Sequence, residues 1–121
     1  MPEHRIAGRR ILVVEDEYML ADQLRNELEQ EGAVVVGPAG RLETAFELLE
    51  SDAQIDSAIL DVNLGGDNVF PLAEALAARN VPFVFATGYE ASTIPSKFSK
   101  IPICDKPVEM PRLKRALGDA S

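Results

Sequence analysis

The chain has 121 residues, enough for one domain with a self-sufficient hydrophobic core. A hydrophobic share of 46% and a charged share of 26% are ordinary for a globular protein, and a net charge of −8 argues against a nucleic-acid surface, which needs a basic patch. A single cysteine excludes an internal disulfide and fits a reducing compartment. No stretch approaches the ~20 apolar residues of a membrane span. The expectation is a cytoplasmic protein that engages neither membrane nor nucleic acid.

Residues 1–9 carry basic groups but no long apolar stretch behind them, so they are not a signal peptide. They are expected to be a flexible lead-in to one domain over residues 10–120. Its first strand is Ile11-Leu12-Val13-Val14, which runs into Glu15-Asp16. Leu20, Ala21, Leu24 and Leu28 then recur at helical spacing, and Gly32 ends that helix. Ala33 to Val36 is a second strand that stops at Gly37-Pro38 and carries no chemistry. Leu42, Ala45, Phe46 and Leu49 form a second helix. Ala58-Ile59-Leu60 is a third strand, running into Asp61, and Leu72, Ala73, Leu76 and Ala77 form a third helix. Phe83-Val84-Phe85-Ala86 runs into Thr87. Pro95 and Pro102 bracket a segment with room for only a short helix or an irregular loop, its Lys97 and Lys100 reading as a solvated face. Ile101-Pro102-Ile103-Cys104 precedes Asp105-Lys106-Pro107, with Cys104 as a small core residue. Pro111 opens a last helix that buries Leu113, Ala116 and Leu117 and ends at Gly118.

The strands are continuous apolar runs, as expected where helices cover both faces of a sheet. Alternating β and α elements imply a parallel sheet with right-handed crossovers, one α/β domain of (βα)5 type. In such a sheet ligands bind beyond the carboxyl ends of the strands. That is where Glu15, Asp16, Asp61, Thr87 and Lys106 fall.

Taken singly these residues have plain explanations: an acidic helix start, a turn before Gly65-Gly66, a loop cap, a surface turn. Together they describe phosphate chemistry. Three converging carboxylates repel one another and call for a cation, and Mg²⁺ suits hard oxygen ligands and phosphate. A carboxylate beside it can accept a phosphoryl group. Lys106 is the candidate ammonium and Thr87 the candidate hydroxyl donor. Backbone N–H groups at Asn63-Leu64-Gly65-Gly66 and at Gly88 add further donors.

On these residues the chain resembles the receiver domain of two-component response regulators over nearly its whole length. Ile11–Glu17 resembles the family's first strand and acidic pair, Ile59–Leu64 its phosphoacceptor segment, Ala86-Thr87-Gly88 its switch hydroxyl, and Asp105-Lys106-Pro107 its lysine and proline. The resemblance implies a doubly wound, flavodoxin-like sheet of order 2-1-3-4-5, with the site at the switch point between strands 1 and 3. It implies Asp61 as the phosphorylated residue, and Glu15, Asp16, Asp61 and the Asn63 backbone carbonyl as the Mg²⁺ site. Thr87 and Lys106 would bind the phosphoryl group, and a cis Lys106–Pro107 bond would aim the lysine inward. A histidine kinase would be the phosphodonor. Phe85-Ala86-Thr87-Gly88-Tyr89 is similar to the FATGUY subgroup of stand-alone receivers. Where most receivers carry an aromatic three residues before the lysine, this chain has Ile103, so the family's aromatic switch is missing and Tyr89 is the candidate replacement.

The implied function is a phosphorelay switch whose output is protein–protein contact or onward phosphoryl transfer, not enzymic turnover of a metabolite. A homodimer is compatible with this, although no sequence signature calls for one. A phosphorylation-independent docking module is the main alternative, but would be expected to lose Asp61 or Lys106. A small Mg²⁺-dependent phosphatase using an aspartyl phosphate would want an acid where Asn63 stands. A flavodoxin-like carrier needs a Ser/Thr/Gly-rich loop where Glu15-Asp16-Glu17 stands. His4, the one histidine, is no credible phosphotransfer or metal residue.

Overall fold

A computed structural model describes residues 6–52, 54–88 and 91–120. Five parallel strands form the main sheet: β1 (Arg10–Val14), β2 (Val34–Ala39), β3 (Ser57–Asp61), β6 (Phe83–Thr87) and β7 (Ile103–Asp105), in the order β2-β1-β3-β6-β7. Counted over this sheet alone, that is the order the resemblance implies. Between β3 and β6 a small antiparallel hairpin, β4 (Asn63–Leu64) and β5 (Asp67–Asn68), turns through Gly65 and Gly66 at φ 59° and 96°. Paired positive φ values suit a tight two-residue hairpin turn, which glycine adopts without strain.

The helices are α1 (Tyr18–Gln30), α2 (Leu42–Ser51), α3 (Phe70–Ala78) and α4 (Met110–Ala120). Alternation along each strand divides the core in two. Leu12, Val14, Leu60 and Phe85 face one way, toward α2 and α3, with Ala45, Leu49, Leu72 and Leu76 packed on them. Ile11, Val13, Ile59 and Val84 face the other way, against Leu24 and Leu28 of α1 and Leu113 and Leu117 of α4. Burial on both faces explains why these strands carry no polar alternation.

Two helices end by the same device. Gly32, at φ 91°, and Ala33 donate to Glu29 and Leu28 carbonyls at 3.0 and 3.1 Å. Asn80, at φ 59°, and Val81 donate to Ala77 and Leu76 carbonyls at 3.0 and 2.9 Å. Both patterns satisfy carbonyls that the helix leaves open, at the cost of one left-handed residue.

The structure corrects three expectations. Of the expected flexible segment 1–9, residues 6–9 are packed: Ile6 is 2% exposed in the α1–α4 side of the core, and the Gly8 N–H donates to the Gly32 carbonyl at 2.8 Å. An apolar side chain with a vacant site in reach stays buried whatever the polarity of its neighbours. Residues 1–5, His4 included, lie outside the described residues. Strand β2 does not stop at Gly37-Pro38 but runs to Ala39, through a register shift between Leu12 and Val14 and a cis Gly37–Pro38 bond. A Cβ on Gly37 would lie 2.8 Å from the Ala39 nitrogen, so only glycine fits that path. Helix α4 continues past Gly118 to Ala120, a glycine near a helix end costing little. The fourth crossover holds no α-helix among the described residues, only two single 3₁₀ turns, Ala91–Thr93 and Ser96–Phe98. The short helix or irregular loop expected between Pro95 and Pro102 is what the structure shows, within the expected flavodoxin-like α/β fold.

No helix among the described residues is long and apolar enough to cross a membrane.

Candidate functional site

Adjacent parallel strands end at one level, and their ends carry the polar groups. Register pairs Val14 with Leu60 and Asp61 with Ala86, so Glu15 and Thr87 each stand one step beyond a strand position paired near Asp61. The last residue of β2 completes the arrangement, because the Glu15 N–H donates to the Ala39 carbonyl at 2.9 Å. The strand that looked chemically silent therefore positions the acidic turn.

Glu15, Asp16 and Asp61 each offer a carboxylate oxygen within 4.8 Å of the others. Glu15 and Asp61 are buried, whereas Asp16 is exposed. Lys106 Nζ bridges the two buried acids, 3.0 Å from Glu15 Oε1 and 3.1 Å from Asp61 Oδ2. The free oxygens are also used: Glu15 Oε2 accepts the Glu17 N–H at 3.0 Å, and Asp61 Oδ1 accepts the Asn63 N–H at 3.3 Å. Asn63 Oδ1 in turn accepts the Gly66 N–H at 3.1 Å, closing the hairpin turn. A Cβ on Gly65 would come within 3.4 Å of Asp16 Oδ2, so the turn passes close over the acids.

Thr87 is fully buried at the end of β6, and its carbonyl accepts the Lys106 N–H at 3.0 Å. That bond ties the lysine's backbone to the adjacent strand. The Lys106–Pro107 peptide is cis, as the resemblance implied.

Burial, followed by the negative charge of Glu15, pushes the Asp61 carboxyl up to about 7, against the opposing bond from Lys106. Burial disfavours the Lys106 ammonium, but its bonds to Glu15 and Asp61 more than offset this and its pKa is raised. Two buried carboxylates sharing one ammonium leave the pocket short of positive charge. A hard divalent cation fits that deficit and the all-oxygen donor set of Glu15, Asp16 and Asp61.

The structure thus brings Glu15, Asp16, Asp61 and Lys106 into one cluster, with Asn63 and Thr87 on its rim. Tyr89, the expected switch residue, lies outside the described residues. Sequence reasoning did not foresee that Glu15 would hold Lys106 as closely as Asp61 does. Nor did it foresee that Asn68 Oδ1, just ahead of the Val69 N-cap, would accept the N–H of Phe70 at the start of α3 at 3.1 Å. The second had a sequence signal, an Asn two residues before an apolar helix start. The first had none, since the two residues are remote in the chain.

A family model described as the response regulator receiver domain matches residues 11–117. The chain belongs to this family. The receiver is 30% identical over 112 residues to the sensory transduction protein LytT of Bacillus subtilis (strain 168), covering 89% of this chain and 46% of that protein. It thus spans about half the length of curated relatives of this kind. Among solved structures, SdrG from Sphingomonas melonis Fr1 is 42% identical with a TM-score of 0.82, the match covering 93% of this receiver and 96% of that chain. The BeF3-activated conformation of SdrG from Pseudomonas melonis Fr1 has the same identity of 42% and the same coverages of 93% and 96%, with a TM-score of 0.77.

Proposed function

We propose that this receiver accepts a phosphoryl group on Asp61 from the phosphohistidine of a histidine kinase, in a Mg²⁺-dependent step of a cytoplasmic phosphorelay. The observation that carries this reading is a buried carboxylate at the end of the central strand, with the Lys106 ammonium 3.1 Å away and two more acids converging on it. The activated form of the 42% identical SdrG supports it, because BeF3 imitates a phosphoryl group on a carboxylate.

A carboxylate oxygen of Asp61 attacks phosphorus, forming a P–O bond as the P–N bond to the donor imidazole breaks; the departing nitrogen keeps the electron pair. Asp61 must be ionised to attack, and Lys106 favours the ionised form. After transfer the ammonium turns from the carboxylate to the phosphoryl oxygens, and Thr87 donates its hydroxyl to another of them. Glu15, Asp16, Asp61 and the Asn63 carbonyl would hold Mg²⁺, which when bound supplies neutralisation of the charge on those oxygens. Glu15 holds Lys106 beside the attacking group throughout.

The Phe85–Tyr89 run supports assignment to the FATGUY-type stand-alone receivers, with output through protein contact or onward phosphoryl transfer. Intact-mass spectrometry after incubation with acetyl phosphate, with and without Mg²⁺, tests the central claim. A single Mg²⁺-dependent phosphoryl adduct that disappears in Asp61→Asn is expected. No adduct with either acetyl phosphate or a competent kinase would overturn it in favour of a phosphorylation-independent docking module.

A further inference from the structure

The β4–β5 hairpin is anchored on both of its strands and its turn passes over the acidic cluster. Leu64 of β4 is buried on the α2–α3 side of the core. The Asn63 N–H donates to Asp61 Oδ1 at 3.3 Å, and on the return strand Asn68 Oδ1 accepts the Phe70 N–H at 3.1 Å, joining β5 to α3. A side chain closes the turn between them, because Asn63 Oδ1 accepts the Gly66 N–H at 3.1 Å. An amide side chain bonded to a backbone N–H further along the chain favours one turn conformation over the others. Asn63 is also the residue whose carbonyl joins the three acids in the proposed Mg²⁺ site.

The two glycines of the turn differ in what lies beneath them. A Cβ on Gly65, at φ 59°, would stand 3.4 Å from Asp16 Oδ2, whereas a Cβ on Gly66 would meet nothing within 4 Å. Asp16 is the exposed member of the three clustered acids, so it is the one a cation meets from solvent. Mg²⁺ dehydrates reluctantly and keeps several waters, so the carboxylate needs free space above it for the ion and its water shell.

We propose that the hairpin is a roof that prepares the acidic cluster for its cation, with the Asn63 side chain as the positioning residue that locks it and Gly65 as the residue whose missing side chain keeps Asp16 open. The proposal rests on the reading of Glu15, Asp16 and Asp61 as the Mg²⁺ site of the phosphoacceptor. Lock and clearance separate by sign. Asn-Gly is a strongly favoured pair for a type I′ hairpin turn, so by turn preference alone Gly65→Asn would steady the hairpin and strengthen cation binding. Where clearance over Asp16 governs, the same substitution weakens it.

The test is titration of the full chain with magnesium chloride, following backbone amides by NMR, for wild type, Asn63→Ala, Asn63→Ser, Gly65→Asn and the control Asn80→Ala. Asn63→Ala should bind Mg²⁺ about fivefold more weakly, as expected when one hydrogen bond no longer holds the competent turn. Its Gly66 amide should be displaced in the metal-free protein. Asn63→Ser, whose hydroxyl accepts such a bond more weakly, should fall between Asn63→Ala and wild type. Gly65→Asn should bind about threefold or more weakly while its hairpin amides keep their turn-like shifts, since a side chain over Asp16 displaces ordered water from the ion. Asn80, at φ 59°, lies past the end of α3 and outside the hairpin, so Asn80→Ala lowers stability without touching the roof and should match wild type. Wild-type affinity in Asn63→Ala, no recovery in Asn63→Ser, or equal or tighter binding by Gly65→Asn overturns the roof while leaving the phosphoacceptor reading standing. A wild type whose amides around Asp61 do not respond to Mg²⁺ overturns both.

Discussion

The two ends of the sheet treat carboxylates in opposite ways. At the N-terminal end of the strands, Arg10 pairs with Asp52, the Arg10 N–H donates to Asp56 Oδ2 at 2.8 Å, and the Gln54 N–H donates to Asp52 Oδ1 at 2.9 Å. The Arg10 bond, followed by the Gln54 N–H, holds the Asp52 carboxyl below the usual range. At the C-terminal end, Glu15 and Asp61 are buried around a single ammonium, and Asp61 is pushed up to about 7. Acids at one end serve folding. At the other, the fold tolerates an electrostatic cost where a ligand or a covalent group would relieve it.

The harshest way to break this contrast is Lys106→Met, which leaves two buried carboxylates with no ammonium between them. In metal-free buffer at pH 8 it should lose about 3 kcal/mol of stability in urea unfolding, with a smaller loss at pH 5 where Asp61 takes up a proton. A loss independent of pH would mean that the lysine acts by packing alone.

Asp61→Asn should do the reverse. The folded-state pKa of Asp61 lies above its unfolded value, so its favourable contribution is complete below about pH 4 and is lost as pH rises through about 7. The variant should therefore gain about 1–2 kcal/mol over wild type at pH 8 and nothing near pH 4. Added Mg²⁺ should raise the melting temperature of the wild type more than that of the variant.

Asn80, left-handed at φ 59°, tests a backbone feature far from the site. Asn80→Ala should cost about 1 kcal/mol, while Asn80→Gly should be neutral or stabilising, measured by the same unfolding curves. Neither should alter acetyl phosphate labelling. The smallest effect sharpens the comparison by sign. Asp52 has a lowered folded pKa, so its contribution is present above the unfolded value and lost as pH falls through the folded one. Asp52→Asn should lie slightly below wild type at pH 7 and converge with it toward pH 2, the mirror image of Asp61→Asn.

Much of this was legible in one dimension. The apolar runs of β1, β3 and β6, the helical spacing of α1 and α2 and the acids at strand ends are local patterns, set by burial and by the periods of strand and helix. The order of those elements, with the chain's likeness to receivers, was enough to place Asp61 beside Glu15 and Lys106. Three things depended on the folded chain. The extension of β2 through Gly37-Pro38 rests on pairing with β1, which outweighs the turn preference of that dipeptide. Phe98 lies in the segment read as a short helix or an irregular loop, with no core role assigned, and it enters the core because three other aromatic rings enclose it. The pKa of Asp61 and the bridging of Glu15 by Lys106 arise from distances between residues remote in sequence. Periodicity records which face of an element is buried, but charge coupling depends on separations that exist only after the sheet has closed.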